Sequence, residues 1–176
     1  VDQMIALFVA GAVRAQKAGF DGVEIHGGHG YIISEFLSPR TNNRTDEYGG
    51  SLENRARLLL RIIKGIREAI GSEMGLWCKL DSEEIGLGEG ISLEDAKTTA
   101  QWAEQAGVDA ITVSTYHDVS EGWMHSESNI PHVPERMLSN ATAIKQVVGI
   151  PVIASGGAGK EEHFKPTKRR SKSYLE

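Results

Sequence analysis

The chain has 176 residues, 40% of them hydrophobic and 24% charged, an ordinary composition for one globular domain with a core of its own. Its formal charge of −5 implies no extended basic face and argues against nucleic acid as a main partner. The lone cysteine, Cys78, leaves no internal disulfide and no four-cysteine metal site built by this chain alone, and no apolar run is long enough for a membrane span. No signal peptide opens the sequence, so the expected compartment is the cytoplasm. A start at Val1, almost directly in a helix, is expected of a chain that begins inside a larger domain.

Residues 2–18 carry Ile5, Phe8, Val9, Ala12 and Val13 on one helical face, with Asp2 as the expected N-cap and Gly19 as the left-handed stop. A strand over 22–25 follows, and it runs straight into His26, His29 and Tyr31. Residues 31–44 read as a loop with a short helical piece broken by Pro39. After Gly49-Gly50, Ser51 caps a helix that reaches about Ile70 and stops at Gly71. Leu59, Ile62, Ile63, Ile66 and Ile70 form its buried stripe, with Arg57, Arg61, Lys64 and Arg67 facing away. The second strand spans 75–80 and holds Cys78 as a buried structural thiol. Ser92 caps a helix over 93–105, with Asp95 at the capping-box position and Gly107 as its stop. The third strand is 109–114, followed by a polar loop over 115–139 that contains Trp123 and Met124. A helix over 141–148 leads to the fourth strand, 151–154, which ends in Ser155-Gly156-Gly157. The stretch from Gly159 is basic and nearly devoid of large apolar residues, so 158–176 is expected to be a disordered polar tail beyond a domain over 1–157.

Strands alternate with helices four times, and each strand is a short apolar run. This is the α/β pattern of a parallel sheet with right-handed crossovers. Strand starts lie about 43 residues apart, so eight units would need roughly 340 residues, a large TIM barrel, and the sequence holds half of one. The alternative is a self-contained doubly wound sheet. Against it, no glycine fingerprint opens the first helix, and GLGEG at 86–90 lacks the third glycine at the required spacing.

Side chains just past a strand's carboxyl end face the site mouth of such folds. Three readings of His26 and His29 stand at this point. They are a donor pair aimed at an electron-rich oxygen, ligands of a metal that would need a third residue, or ordinary structural histidines. His117, His125 and His132 lie in the loop, where the sequence cannot place them. Tyr31 is either a phenol aimed into the cleft or a core aromatic. Lys79 interrupts an apolar strand, and an inward-pointing lysine calls for an anionic partner, for which Asp81 is a candidate. Gly156 and Gly157 sit where backbone N–H groups converge on phosphate in late barrel strands. Arg40, Asn42, Arg44, Asp46 and Tyr48 read as a hydrogen-bonded loop scaffold.

The run EIHGGHGYIISEFLSPRTNNRTDEYGGSLENRARLLL resembles the Old Yellow Enzyme family, the FMN-dependent ene reductases also called NADH:flavin oxidoreductases. The resemblance covers residues 1 to about 157 and is densest between 19 and 67. It implies a partial TIM barrel whose four strands match the fourth to seventh of the family barrel, with FMN as cofactor and NAD(P)H as reductant. It further implies that His26 and His29 bind the carbonyl oxygen of a small α,β-unsaturated substrate. Hydride from reduced FMN would reach the β-carbon, and Tyr31 or water would protonate the α-carbon. Lys79 falls where many members carry an arginine beside the flavin pyrimidine, and Gly156 and Gly157 match the phosphate-contacting turn. The first three strands and the eighth have no counterpart here. A catalytically silent fragment without flavin is therefore the alternative, and the open sheet edges are expected to favour self-association.

Overall fold

A computed structural model describes residues 1–85, 88–117 and 133–154. The Ser155-Gly156-Gly157 turn, the tail over 158–176, and His125, His132, Trp123 and Met124 lie outside the described residues. The elements in chain order are α1 (Asp2–Lys17), β1 (Gly22–Gly27), α2 (Ile32–Leu37), α3 (Leu52–Ile70), β2 (Gly75–Ile85), α4 (Leu93–Ala106), β3 (Ala110–His117), α5 (Val133–Lys145) and β4 (Val152–Ala154).

The four strands form one sheet in the order β1-β2-β3-β4, every pair parallel. That order decides between the two architectures the sequence left open. A doubly wound sheet reverses its strand order at a switch point, whereas consecutive right-handed crossovers laid down in one direction put every helix on the same side, as a barrel requires. The sheet accordingly has one packed face. Leu76, Cys78, Leu80, Ile111 and Val113 point to the helices and are almost wholly buried, and they join the α3 stripe Leu58, Leu59, Ile62, Ile63 and Ile66 in a single core. The opposite face carries Glu24, His26, Trp77, Lys79, Asp81, Thr112 and Ser114, with Ile153 of β4 47% exposed. Period-two alternation along each strand separates the two sets.

Several helix ends follow the sequence. Ser51 accepts from the Asn54 N–H at 3.3 Å and Ser92 from the Asp95 N–H at 3.1 Å. Gly19 and Gly107 take the left-handed conformation at φ +84 and +113 that stops α1 and α4. Other expectations are corrected. The cap of α1 is Val1, not Asp2, which lies inside the helix and pairs with Arg61 at 2.8 Å. Asp95 does not complete a capping box, because its carboxylate is drawn to Arg55 at 3.1 Å. Arg67 does not simply face away. It donates to the carbonyls of Gly71, Met74 and Gly107 and pairs with Asp109 at 2.6 Å, closing the amino-terminal end of the sheet.

Two lengths also differ. β2 runs on to Ile85, past the expected end at Leu80. A register shift between Asp81 and Glu84 keeps it paired with β3, and the Glu84 N–H finds the Ile91 carbonyl at 2.9 Å. The expected loop over 115–139 is partly regular: β3 continues to His117, and α5 begins at Val133 rather than 141.

The 40–50 segment is a scaffold, as its composition suggests. Asn42 Nδ2 donates to the carbonyls of Phe36 and Tyr48 at 2.6 and 2.7 Å, and Arg44 pairs with Asp46. Beneath it, buried Arg55 donates to the Leu37 and Gly50 carbonyls at 2.8 and 2.7 Å and to Asp95. Replacing Arg55 by methionine keeps the stem but strands two carbonyls and a carboxylate. The expected cost is about 3 kcal/mol of unfolding free energy, read as a lower urea midpoint at unchanged m-value.

Candidate functional site

The site forms where β1 ends. His26 is still in the strand, on the open inner face, with Lys79 of β2 as its register partner and Thr112 of β3 beyond. Residues 28–31 then turn sharply into α2. Gly28 is a glycine for a local reason, since a Cβ there would lie 2.6 Å from Asp81 Oδ1. At Gly30 a Cβ would strike the Tyr116 ring at 2.7 Å, and φ is +69. His29 has φ +61 and is the one described non-glycine residue with positive φ, in a conformation that costs a side-chain-bearing residue energy unless its surroundings hold it.

The turn brings three expected residues together. The His26 ring centroid lies 5.1 Å from that of His29 and 5.1 Å from that of Tyr31, with the ring planes near perpendicular at 78° and 77°. Tyr31 is 61% exposed, so it is not a core aromatic among the described residues. His26 Nδ1 accepts the Gly28 N–H at 3.3 Å, so a neutral His26 carries its proton on Nε2 and presents it as a donor. Burial lowers the His26 pKa, the charges of His29 and Lys79 lower it further, and Glu24 opposes them.

Lys79 reaches the same inner face. The expected Lys79–Asp81 pairing is not formed. Among the described residues Lys79 has no salt bridge, and Asp81 is engaged elsewhere. Asp81 is 2% exposed and accepts from the His29 N–H at 2.6 Å, from Ser114 Oγ at 2.7 Å and from Ser34 Oγ at 3.2 Å. Burial pushes its carboxyl pKa up, while Ser114, His29 and Ser34 pull it down. Its role in the turn was missed from sequence. The signal was its position two residues beyond Lys79, which puts it on the same face of one strand. Next to the turn, Gly30, Ser34, Glu35, Arg40, Thr41, Glu84 and Tyr116 line a recess of about 320 Å³.

Cys78 is fully buried on the helix side, where desolvation raises its pKa and keeps it a thiol, in keeping with its structural reading. Gly156 and Gly157, expected to contact phosphate, lie outside the described residues, as do the side chain of His117 and the rest of its loop. Among the described residues no cluster of three metal-ligating side chains is present, and no helix is long and apolar enough to cross a membrane.

A family model described as NADH:flavin oxidoreductase / NADH oxidase family matches residues 1–173. An NADPH dehydrogenase of Halalkalibacterium halodurans is 43% identical over 159 residues, which are 90% of this chain and 43% of that protein. Among solved structures, a 2-naphthoyl-CoA reductase in complex with 2-naphthoyl-CoA superposes with a TM-score of 0.75 at 30% identity, covering 86% of this chain and 23% of that one. The old yellow enzyme homologue from Zymomonas mobilis does so with a TM-score of 0.63 at 26% identity, covering 86% and 40%. The chain spans less than half the length of the curated relatives it matches. Its four parallel units are thus part of a TIM barrel, and the chain belongs to the NADH:flavin oxidoreductase / NADH oxidase family.

Proposed function

We propose that this chain forms the substrate-binding half of an FMN-dependent ene reductase that reduces the C=C bond of α,β-unsaturated carbonyl compounds at the expense of NAD(P)H. The observation that carries the reading is the convergence of His26, His29 and Tyr31 on the open inner face beside Lys79, a cation without a salt bridge among the described residues. An uncompensated ammonium on a partly buried face suits an anionic planar ring, and that donor set fits a flavin. FMN, when bound, supplies the hydride. His26 Nε2–H and His29 hold the carbonyl oxygen and stabilise the negative charge that develops on it. Neutral His26 still offers its Nε2–H, and it adds no second cation to the face that carries Lys79. Tyr31, at the mouth, delivers a proton to the α-carbon. Gly156 and Gly157 are proposed phosphate contacts.

The reading needs further strands, since β1 and β4 each pair on one side only among the described residues. They come from a longer polypeptide or from a second copy, and a silent fragment is what remains if neither completes the ring. The domain boundary near 157 is likewise a proposal.

FMN uptake tests the reading most directly. Protein incubated with FMN and desalted should keep absorbance at about 450 nm, whereas colourless protein removes the proposal. His26→Ala in the loaded protein should keep the colour and lower kcat/KM for an enone about 10²-fold, as expected for loss of one oxyanion donor. Loss of colour instead would place His26 on the cofactor. Lys79→Met should weaken FMN retention more than it changes enone KM.

The electrostatics give a separate check. NMR titration should find the His26 midpoint below 6.5, and Lys79→Met should raise it by removing a repelling charge. Because the folded state resists protonating His26 more than the unfolded state does, its contribution to stability is complete above 6.5. It falls as pH drops through 6.5 and levels off below the folded midpoint.

A further inference from the structure

The backbone of the His-bearing turn has no ladder to hold it, yet its N–H groups are accounted for. Gly28 N–H goes to His26 Nδ1 at 3.3 Å, and Tyr31 N–H to the Gly28 carbonyl at 3.4 Å. The other two lead to one side chain. His29 N–H donates to Asp81 Oδ2 at 2.6 Å, and Gly30 N–H donates to Ser34 Oγ at 3.3 Å, which in turn donates to Asp81 Oδ2 at 3.2 Å. On its other oxygen, Asp81 accepts from Ser114 Oγ at 2.7 Å, a residue with no exposure on β3. The carboxylate therefore ties the turn to two strands at once. It also fills the space a side chain at Gly28 would take.

We propose that Asp81 is a positioning residue whose hydrogen bonds hold His29 in its left-handed conformation and thereby set the spacing of His26, His29 and Tyr31. The inference rests on the reading that these three groups bind substrate, and it deepens it. A left-handed non-glycine residue persists only where its neighbours over-determine it, and here the constraint is a short charge-assisted bond from the buried carboxylate to that residue's own N–H. β2 then carries both halves of the arrangement, with Lys79 toward the proposed cofactor and, two residues on, Asp81 under the substrate donors.

The chemistry makes a conservative variant informative. In Asp81→Asn the amide oxygen can accept from His29 N–H and Ser34, while the NH2 group donates to Ser114 Oγ. Ser114 can then turn its own proton to the Leu80 carbonyl, already 3.3 Å away. Asp81→Ala has no such substitute. Three measurements are made on the full chain: NMR contacts between the His26 and Tyr31 rings, hydrogen exchange of the His29 amide, and the Kd of phenol for FMN-loaded protein. In the wild type the ring contacts are expected and the His29 amide should exchange slowly. Asp81→Asn should keep both and leave Kd within about threefold. Asp81→Ala should lose both and raise Kd by about tenfold or more, since displaced donors no longer reach the ligand oxygen at hydrogen-bond geometry. Unchanged ring contacts in Asp81→Ala overturn the proposal, and so does an Asp81→Asn variant as damaged as Asp81→Ala. Should Asp81→Ala unfold, a wild-type His29 amide that exchanges at the rate of an unprotected peptide overturns it alone, and a protected one supports it. A wild type that takes up no FMN and binds no phenol defeats the functional reading, while the ring contacts and amide exchange still decide the role of Asp81.

Discussion

The alternation of side chains across β2 is the constraint from which the rest follows. Leu76, Cys78 and Leu80 point one way into a core with no solvent access, so Trp77, Lys79 and Asp81 must point the other way. Parallel pairing without a slip along these residues then brings His26, Lys79 and Thr112 into one row across three strands. A single-residue slip would bury the lysine among leucines and isoleucines, which the desolvation of an ammonium forbids. Hydrophobic burial on one face thus fixes the position of polar groups on the other.

The inner face carries Lys79 and His26 together with Glu24 and Asp81, and burial combined with these charges has a chemical result. Burial disfavours protonation of His26, the charges of His29 and Lys79 add to it, and Glu24 opposes them. A neutral imidazole whose Nδ1 is already occupied by a backbone N–H has one proton left to offer, from Nε2. The carboxylate that could have neutralised Lys79 is turned aside by Ser114, Ser34 and the His29 amide, and this leaves the ammonium for another anion. In the proposed function that anion is the flavin.

The site is held from outside by polar packing. Arg55, under the 40–50 loop, and Arg67, at the far end of the sheet, each donate to more than one carbonyl, those of buried Leu37 and Met74 among them. Ser38 Oγ and the Ile91 N–H both meet Glu84, at 2.5 and 2.7 Å, so a second buried carboxylate ties the end of α2 to the extension of β2. Asp81 and Glu84 together tie α2, which follows the His-bearing turn, to β2.

Much of this was legible in residue order. Helix caps at Ser51 and Ser92 and the left-handed stops at Gly19 and Gly107 are local chemistry, set within a few residues of each other. The α3 stripe and the βα rhythm follow from periodicity, and the His-x-x-His-x-Tyr array from its place after a strand. Less legible were the ends and the partners. Asp2 and Asp95 have the right type for caps, but each is claimed by an arginine distant in sequence, Arg61 and Arg55, and only tertiary proximity decides such a competition. β2 outran its apolar pattern because β3 and the Ile91 carbonyl supplied hydrogen bonds to a polar stretch. Residue order likewise suggested Lys79 for Asp81, since the two share a strand face. The actual partners are 33, 47 and 52 residues away, and the folding of the chain alone brings them within 3.2 Å. The sequence by itself determined which groups exist and which face each occupies, because both depend on local periodicity. The tertiary structure decided which groups meet, because hydrogen bonds are short-ranged and their partners lie on different strands.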